Sequence, residues 1–249
     1  MAQLDGKVAV VTAGGAGIGQ GIVWLLSERG ARVIATDISA AGLAETKAQA
    51  AADAVKTVTA DVTTEAGAKA SVDAALAAFG RLDILVNVVG GSRPGKNSLE
   101  MSREDWEAML LFNLTSAFLM CRCAIPAMAA AGGGAIVNIS SGAGIHGMNR
   151  NPGYVAAKGG LVAYTKALAM DHADQHIRAN VIAPGAILTP LMQRNRRPDE
   201  IAALGRMNLV GRLGTPRDIA ATVAFLASDD GAFVNGELIE VSGGRKANI

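Results

Sequence analysis

The sequence is poor in aromatic residues and in net charge. Aromatic side chains make up 4% of the 249 residues, and the formal net charge at pH 7 is +1. Nucleic-acid-binding proteins usually combine a basic surface with side chains that stack on bases. We therefore expect no nucleic-acid partner.

Cysteine is scarce as well. Cys121 and Cys123 lie two residues apart in an apolar stretch, so on a helix they point in different directions. This arrangement predicts neither a disulfide framework nor a zinc site. Residues 1–7 contain no apolar signal-peptide core, and the uncharged stretch 123–141 is interrupted by Pro126 and three glycines. We predict no membrane-spanning segment and a cytoplasmic protein.

Short β-branched runs alternate with helical patterns along the whole chain. This alternation predicts a single α/β domain over residues 1–249, with a doubly wound, Rossmann-type parallel sheet of about seven strands and helices on both faces. The predicted strands are 8–12, 31–37, 55–60, 82–88, 135–140, 177–183 and 237–241. The predicted helices are 18–29, 40–54, 65–79, 103–106, 113–130, 154–172 and 217–227. We interpret the irregular segment 186–216 as a substrate lid.

A glycine-rich turn, TAGGAGIG at residues 12–19, joins the first strand to the first helix. Such a turn lets the backbone approach a pyrophosphate at a helix N-terminus. Asp37 ends the second strand, where a carboxylate can accept hydrogen bonds from ribose hydroxyls and repel a 2′-phosphate. Because neither Ile38 nor Ser39 is basic, we predict NAD rather than NADP. The alternative is that Asp37 only caps the next helix.

Tyr154 and Lys158 stand four residues apart, which places both side chains on one face of a helix. An ammonium group near a phenol favours the phenolate, so we expect a lowered pKa for Tyr154 and a role in proton transfer. Ser141 precedes the tyrosine by thirteen residues. The pair alone would be weak support for a catalytic site, and an exposed helical pair is the alternative.

The glycine turn, Asp37, Asn113, Ser141, Tyr154 and Lys158 occur in an order that resembles the short-chain dehydrogenase/reductase family, in its short single-domain branch. The resemblance implies that Tyr154 is the acid/base and that Lys158 lowers its pKa and binds the nicotinamide ribose. Ser141 would donate to the substrate oxygen, with Ser140 as its rival. Asn113 would hold a water that links Lys158 to solvent; the alternative is a helix-kinking residue satisfied by the backbone.

The same resemblance implies a set of cofactor contacts. Asp61 and Val62 would contact adenine, and the Ile187 backbone and Thr189 hydroxyl would hold the carboxamide. The implied contacts are Gly14, Gly17, Ile18, Gly19, Asp37, Ile38, Asp61, Val62, Asn87, Gly90, Tyr154, Lys158, Ile187 and Thr189. The chain departs from the family pattern at Ala13, Val88, Val89 and Ser242. We expect alanine in place of the first glycine to cost little.

Substrate contacts are less determined. Arg93, Arg194, Arg196 and Arg197 could bind an anionic substrate group or simply be solvated. Met148, Leu188, Leu191 and Met192 could roof an apolar pocket or belong to the core. His146 could line the site or be an exposed loop residue. With three scattered histidines and two cysteines, we expect no metal site.

These observations predict an oxidoreductase that transfers a hydride between NAD(H) and a small secondary alcohol or ketone. The alternatives are an NADPH-dependent 3-oxoacyl carrier-protein reductase and a non-catalytic NAD-binding regulator. The resemblance also implies a homo-oligomer, expected to be a tetramer. The apolar helix faces within 106–118 and 154–170 are candidate interfaces.

Overall fold

A computed structural model describes residues 3–51 and 53–244. Within this part of the chain, seven strands form one parallel sheet in the order β3-β2-β1-β4-β5-β6-β7. The strands are β1 Val8–Thr12, β2 Arg32–Asp37, β3 Val55–Thr59, β4 Ile84–Asn87, β5 Gly134–Ile139, β6 Ile177–Pro184 and β7 Leu238–Val241. The predicted α/β class and doubly wound sheet are confirmed.

Ten α-helices connect and cover these strands in the described residues. They are α1 Gly17–Glu28, α2 Ala40–Ala48, α3 Glu65–Phe79, α4 Arg103–Leu110, α5 Ser116–Ala130, α6 Ala143–His146, α7 Pro152–Asp171, α8 Pro190–Asn195, α9 Pro198–Met207 and α10 Pro216–Ala227. A π-helical turn, Leu111–Thr115, joins α4 to α5, and short 3-10 turns lie at Ala173–Gln175 and Asp229–Gly231.

The central strands β1, β4, β5 and β6 are buried on both faces, as is typical of the mostly apolar strands of a parallel sheet. One core cluster packs α1 and α10 against the sheet through residues such as Ile22, Leu26 and Val223. The other packs α3 and α5 through residues such as Val72, Met120 and Met128. Successive strands are added on one side of β1 up to β3 and on its other side from β4 onward, so the strand order reverses between β1 and β4. Ligands of such sheets bind at the carboxyl ends of the strands at this point.

Several predicted ranges differ from the structure. The helix predicted over 103–106 continues to Leu110, and the one predicted from residue 113 begins as α5 at Ser116, because the π-helical turn lies between them. Helix α2 ends at Ala48 rather than near residue 54, because Asp53 adopts a left-handed conformation (φ 57°) that turns the chain toward β3. The segment 186–216, predicted to be irregular, contains α8 and α9. Both helices begin with a proline at the first position, where proline is well tolerated, and the Thr189 side chain caps α8.

The long helical stretch Arg103–Ala130 bears on the prediction that the chain has no membrane-spanning segment. Within the described residues, it is the one helix whose length and apolar composition would suffice to cross a membrane. The charges in α4 lie in its first turns, and the stretch from Leu111 to Ala130 carries a single charged residue, Arg122. A core helix of a folded domain passes the same test, and this one buries Met120, Ala124 and Met128 under the sheet.

Candidate active site

Two adjoining cavities open at the carboxyl ends of the central strands, and Gly90 lines both. The Asp37 cavity, of about 390 Å³, is lined by residues that include Ala13, Asp37, Ile38, Asp61, Val62, Gly90, Arg93 and Phe112. The Tyr154 cavity, of about 250 Å³, is lined by residues that include Ile18, Ser140, Ser141, Tyr154, Lys158, Ile187, Thr189 and Met192. The fold therefore gathers most of the predicted site residues in one groove.

The glycine turn begins directly after β1 and is packed closely against the sheet. The Gly14 amide donates to the Thr36 carbonyl at 3.0 Å. A Cβ atom on Gly19 would lie 2.0 Å from the Ala13 carbonyl oxygen, so this position admits only glycine. Ala13 has φ 51°, in the left-handed region that disfavours alanine. The expectation that alanine costs little here is therefore wrong.

Asp37 is held by two backbone amides at the end of β2. Its Oδ2 accepts from Gly15 N at 3.0 Å, and its Oδ1 accepts from Ser39 N at 2.9 Å. The N-cap of α2 is Ser39, whose hydroxyl accepts from Gly42 N at 3.1 Å. Capping of α2 thus belongs to Ser39, which leaves Asp37 facing its cavity.

Asp61 and Val62 follow β3 at the far side of the same cavity. The Thr63 hydroxyl and amide donate to Asp61 Oδ1 at 2.7 and 2.9 Å, and these bonds lower the pKa of the Asp61 carboxyl. Ile38 is 73% exposed at the cavity rim, so its side chain is available to a ligand.

The Asn87 side chain faces the interior rather than a cavity. Its Nδ2 donates to Asn138 Oδ1 at 2.8 Å, and Asn138 Nδ2 donates to Thr165 Oγ1 at 2.9 Å. This buried network ties β4 to β5 and α7. The cofactor contact expected from Asn87 therefore stays a prediction. In this geometry, only the main-chain atoms of Asn87 could make it.

Tyr154 lies half-buried on the first turns of α7, with Ser141 facing it. Burial raises the pKa of the Tyr154 phenol, and a hydrogen bond from Ser141 lowers it in part. The Ser141 hydroxyl also accepts from Ala143 N at 3.2 Å. The Ser140 hydroxyl instead donates to the Lys158 carbonyl at 2.8 Å. This geometry favours Ser141 over Ser140 as a donor to a substrate oxygen.

Lys158 is buried one turn after Tyr154 on α7, and its ammonium donates to the Ile139 carbonyl at 2.8 Å. Burial lowers the pKa of Lys158 to about 8. The sequence predicted a lowered pKa for Tyr154, whereas in this structure the pKa is raised. The reason is that desolvation of the phenol outweighs the Ser141 hydrogen bond, while Lys158 is turned toward β5.

Asn113 sits in the π-helical turn and braces the loop after β4. Its Oδ1 accepts from Gly91 N at 2.9 Å, and its Nδ2 donates to the carbonyls of Gly91 and Met109 at 3.1 Å each. A Cβ atom on Gly90 would lie 2.6 Å from Lys158 Nζ and 2.8 Å from Asn113 Oδ1. Asn113 is thus satisfied by the backbone and close to Lys158; its water-holding role stays a prediction.

The segment after β6 closes the Tyr154 cavity. Ile187 is 6% exposed and lines it, and the Thr189 hydroxyl accepts from Met192 N at 3.3 Å as the cap of α8. Of the four candidate roof residues, Met192 lines this cavity, whereas Met148 and Leu191 are 48% and 59% exposed.

The candidate arginines separate into two groups. Arg93 lines the Asp37 cavity and a smaller neighbouring one. Arg194, Arg196 and Arg197 are exposed, and Arg197 pairs with Asp199 at 3.3 Å. His146 Nε2 lies 2.7 Å from Glu240 Oε1 in an exposed pair, so it is not among the cavity-lining residues. No cluster of three metal-ligating side chains occurs in residues 3–51 and 53–244.

Thr12 is a site residue that the sequence reasoning missed. Its buried hydroxyl accepts from Val88 N at 2.9 Å and lies 3.4 Å from the Val86 carbonyl, which ties the glycine turn to the end of β4. A threonine at the last position of an otherwise apolar buried strand was the available signal, because buried hydroxyls need partners.

Comparisons with known proteins agree with this geometry. A family model described as Enoyl-(Acyl carrier protein) reductase matches residues 12–246. The chain is 39% identical to D-threitol dehydrogenase of Mycolicibacterium smegmatis over 97% of its length and 94% of that protein. It belongs to the short-chain dehydrogenase/reductase family. Members of this family use a nicotinamide cofactor, and the predicted resemblance is confirmed.

Other relatives cover the chain as fully. Cyclohexanol dehydrogenase of an Acinetobacter species is 37% identical over 97% of this chain and 95% of its own. The 3-oxoacyl-acyl-carrier-protein reductase FabG of Thermotoga maritima is 36% identical, with 97% and 98% covered. A crystal structure of a short-chain dehydrogenase/reductase from Burkholderia xenovorans superposes with a TM-score of 0.91 at 36% identity, covering 98% and 97%. The chain is therefore an oxidoreductase of alcohols and ketones.

Proposed function

We propose that the chain is an NAD-dependent dehydrogenase of small or medium secondary alcohols. The observation that carries the choice of cofactor is Asp37, whose carboxylate lines its cavity. A 2′-phosphate placed there would be repelled. The three residues nearest to this carboxylate in the turn and after β2 are Gly15, Ile38 and Ser39, which carry no positive charge.

The cavities fit a nicotinamide dinucleotide on structural grounds. The absence of a side chain at Gly19 lets the turn pack directly against the start of α1, whose N-terminal N–H groups would favour a ligand's phosphates. Gly14, Gly17, Ile18 and Gly19 would hold the pyrophosphate, and Asp37, Ile38, Asp61 and Val62 the adenosine. The buried Lys158 ammonium, which donates only to the Ile139 carbonyl among the described residues, can turn to ribose hydroxyls.

The arrangement around Tyr154 suits proton transfer at a substrate oxygen. In alcohol oxidation, Ser141 donates a hydrogen bond to the substrate oxygen and Tyr154, as the phenolate, accepts the hydroxyl proton. The bound nicotinamide supplies the acceptor for the hydride that leaves the same carbon. Lys158 favours the phenolate once its ammonium approaches the phenol. Reduction of a ketone runs through the same groups in reverse.

The substrate class rests on the chemistry that the relatives' names share. Cyclohexanol and cis-4-hydroxycyclohexanecarboxylate, substrates named for two relatives at 37% and 38% identity, are secondary alcohols. Met192 and Ile187 give the Tyr154 cavity an apolar wall that suits a carbon ring. Arg93 would add a contact to an acidic substrate that extends toward the smaller neighbouring cavity, which Arg93 also lines.

The second candidate is an NADPH-dependent 3-oxoacyl carrier-protein reductase. The similarity to FabG proteins, at 36–38% identity, favours it. Asp37 opposes it, because a carboxylate at this position disfavours a 2′-phosphate. A non-catalytic NAD-binding regulator would keep the Asp37 cavity but would not need the Ser141, Tyr154 and Lys158 arrangement.

The test measures formation of reduced nicotinamide from NAD and from NADP with cyclohexanol, D-threitol and cis-4-hydroxycyclohexanecarboxylate. We expect turnover with NAD to exceed turnover with NADP for at least one alcohol. Preferential oxidation of NADPH with a 3-oxoacyl thioester would instead support the reductase. Binding of NADH without turnover on any substrate would support the regulator.

We also propose a cytoplasmic homotetramer. Several large apolar side chains are exposed on α5, α7 and the π-helical turn, which include Phe112, Phe118 and Met170 at 39%, 43% and 81%. Exposed apolar patches of this kind mark interaction surfaces. Light scattering of the purified protein is expected to give about four times the 25.3 kDa mass of the chain; a monomer would contradict this proposal.

A further inference from the structure

Thr46 is an unusual residue of helix α2. Of the nine residues in this helix only two are buried, Leu43 and Thr46. Thr46 has no exposed surface, although valine has nearly the same shape and would bury more apolar area. A buried hydroxyl is unfavourable unless it is hydrogen-bonded, so the partners of Thr46 indicate what the hydroxyl does.

The Thr46 hydroxyl joins α2 to the glycine turn and to α1. It lies 2.9 Å from the Gly14 carbonyl oxygen and 2.9 Å from that of Gly42, and its proton serves these two acceptors. In addition, it accepts from Gln20 Nε2 at 3.0 Å. The bond to Gly42 stays within the helix, whereas the bond to Gly14 reaches 32 residues back along the chain.

The contact between α2 and the turn is tight at a second point. A Cβ atom on Gly42 would lie 2.6 Å from the Gly15 carbonyl oxygen. The Trp24 indole donates to the Thr46 carbonyl at 3.0 Å, which holds this part of α2 against α1. The distance between Thr46 and the turn is therefore set by packing on both sides of the hydroxyl.

The Gly14–Gly15 peptide unit is fixed at both of its polar ends. Its carbonyl oxygen faces the Thr46 hydroxyl, and its N–H donates to Asp37 Oδ2 at 3.0 Å. Two glycines in sequence could rotate this peptide plane at little steric cost. A single rotation would break both bonds, so the Thr46 bond and the Asp37 bond depend on the same peptide orientation.

We propose that Thr46 is a positioning residue for Asp37, acting through the Gly14–Gly15 peptide. With Gly15 N and Ser39 N each using one lone pair, the plane of the Asp37 carboxylate is set and its other lone pairs are available in the cavity. Thr46 then preorganises the acceptor for the adenosine ribose without touching the cofactor. This inference rests on the proposed use of NAD.

The test measures the dissociation constants of NADH and NADPH by nicotinamide fluorescence for wild type, Thr46→Val and Thr46→Ser. Loss of one hydrogen bond that orients the site should raise the NADH dissociation constant roughly fivefold in Thr46→Val. The NADPH constant should change less, so the preference for NADH narrows. Thr46→Ser keeps the hydroxyl and should restore the wild-type value, while kcat at saturating NAD stays within about twofold.

Ser27→Ala is the matched control. Ser27 is also buried, and its hydroxyl donates to the Trp24 carbonyl within helix α1, far from the turn. It should leave both dissociation constants unchanged. If Ser27→Ala and Thr46→Val weaken NADH binding equally, Thr46 is merely structural. Should Thr46→Val not fold, Thr46→Ala removes the same hydroxyl with the residue that helices favour most and must show the same weakening.

The dependence on Asp37 is tested by the double variant. If Thr46 acts through Asp37, then Thr46→Val in an Asp37→Ala background should change the NADH dissociation constant by less than about twofold. If instead the effects of the two substitutions on the NADH dissociation constant multiply, the proposal is contradicted. Wild-type protein that binds NADPH as tightly as NADH contradicts the proposed cofactor itself. Wild type that prefers NADH, with Thr46→Val unaltered, contradicts only the role of Thr46.

Discussion

The two ends of the groove differ in how their polar groups are satisfied. At the Asp37 end, the carboxylate receives two backbone N–H groups and Asp61 receives two donors from Thr63. At the Tyr154 end, the Lys158 ammonium is buried, and within the described residues the Ile139 carbonyl is its one hydrogen-bond partner; burial also raises the pKa of Tyr154. We call the first end relaxed, because the protein itself supplies the partners of its carboxylates, and the second end unrelaxed, because its buried cation is less fully compensated.

This difference separates recognition from chemistry. If ribose hydroxyls bind at Asp37 as proposed, the relaxed carboxylate needs no rearrangement to accept them, and this preorganisation favours binding. A buried cation with few partners is unfavourable until a ligand supplies oxygen atoms. Binding at the first end can therefore offset the free energy that the second end requires.

The largest expected effect comes from removing the proposed acid/base, Tyr154. Tyr154→Phe should lower kcat by at least about 100-fold, because a general acid/base contributes that much, yet NADH should bind as in wild type. Tyr164→Phe changes the other tyrosine of the same helix and should stay within a few-fold. Substantial remaining turnover in Tyr154→Phe would remove the distinction between the two ends.

Lys158→Met tests whether the Tyr154 end is indeed unrelaxed. Burial lowers the pKa of Lys158 from 10.5 to about 8. Between these values the folded protein binds fewer protons than the unfolded chain, so stability rises with pH in that interval. Without cofactor, the free energy of unfolding of Lys158→Met should exceed that of wild type below pH 8 by up to about 3 kcal/mol. The loss of the hydrogen bond to the Ile139 carbonyl reduces this gain.

The advantage of Lys158→Met should shrink above pH 8 and vanish near the ordinary lysine pKa, as followed by urea denaturation at several pH values. Lys166→Met, which replaces an exposed lysine of the same helix, is the control and should show no such pH dependence. A Lys158→Met protein that is less stable than wild type at pH 7 would mean that the ammonium is well compensated.

Asp37→Ala acts at the relaxed end. It should lower the ratio of kcat/KM for NAD to kcat/KM for NADP by roughly tenfold or more, because one charge–charge repulsion at short range has about this effect. Asp37→Asn separates charge from shape, since it keeps an oxygen acceptor. It should improve use of NADP while retaining more of the NAD activity than alanine does. An unchanged ratio in both variants would show that Asp37 only supports the turn.

The smallest effect concerns the one strained residue of the glycine turn. Ala13→Gly should raise the free energy of unfolding by up to about 1 kcal/mol, because glycine adopts the φ of 51° without the penalty of a Cβ atom. Ala16→Gly is the control, since Ala16 has an ordinary extended conformation with φ −158°. If thermal denaturation shows Ala16→Gly to be more stable than Ala13→Gly, the turn is not strained.

The fold was largely predictable because local signals and the sheet agree. Helix α3 matches its predicted range at both ends, where Thr64 caps the start and Gly80 stops it with φ 77°. Local sequence signals failed where tertiary contacts determine the structure. The end of α2 depends on how the chain returns to β3, and α8 and α9 lie in a segment whose turn residues resembled a loop.

The sequence predicted many of the residues that the fold gathers around the two cavities, but not the electrostatics there. The spacing of Tyr154 and Lys158 places them on one helix, and the family order identifies their partners. Neither reveals that Lys158 is turned toward Ile139 or that desolvation dominates Tyr154. The role of Thr46 was hidden for the same reason, because its partners Gln20 and Gly14 are 26 and 32 residues away in sequence.

The two ends of the segment between β6 and α10 meet each other. Ile187 and Gly214 form a parallel bridge, with Gly214 N donating to the Ala186 carbonyl at 3.0 Å and Leu188 N to the Gly214 carbonyl at 2.8 Å. A loop whose ends are joined in this way can change in length or sequence without displacing the strand before it or the helix after it. Residues 190–213 can thus vary, and with them the Met192 wall of the Tyr154 cavity, while Thr189 and the proposed cofactor groove keep their place.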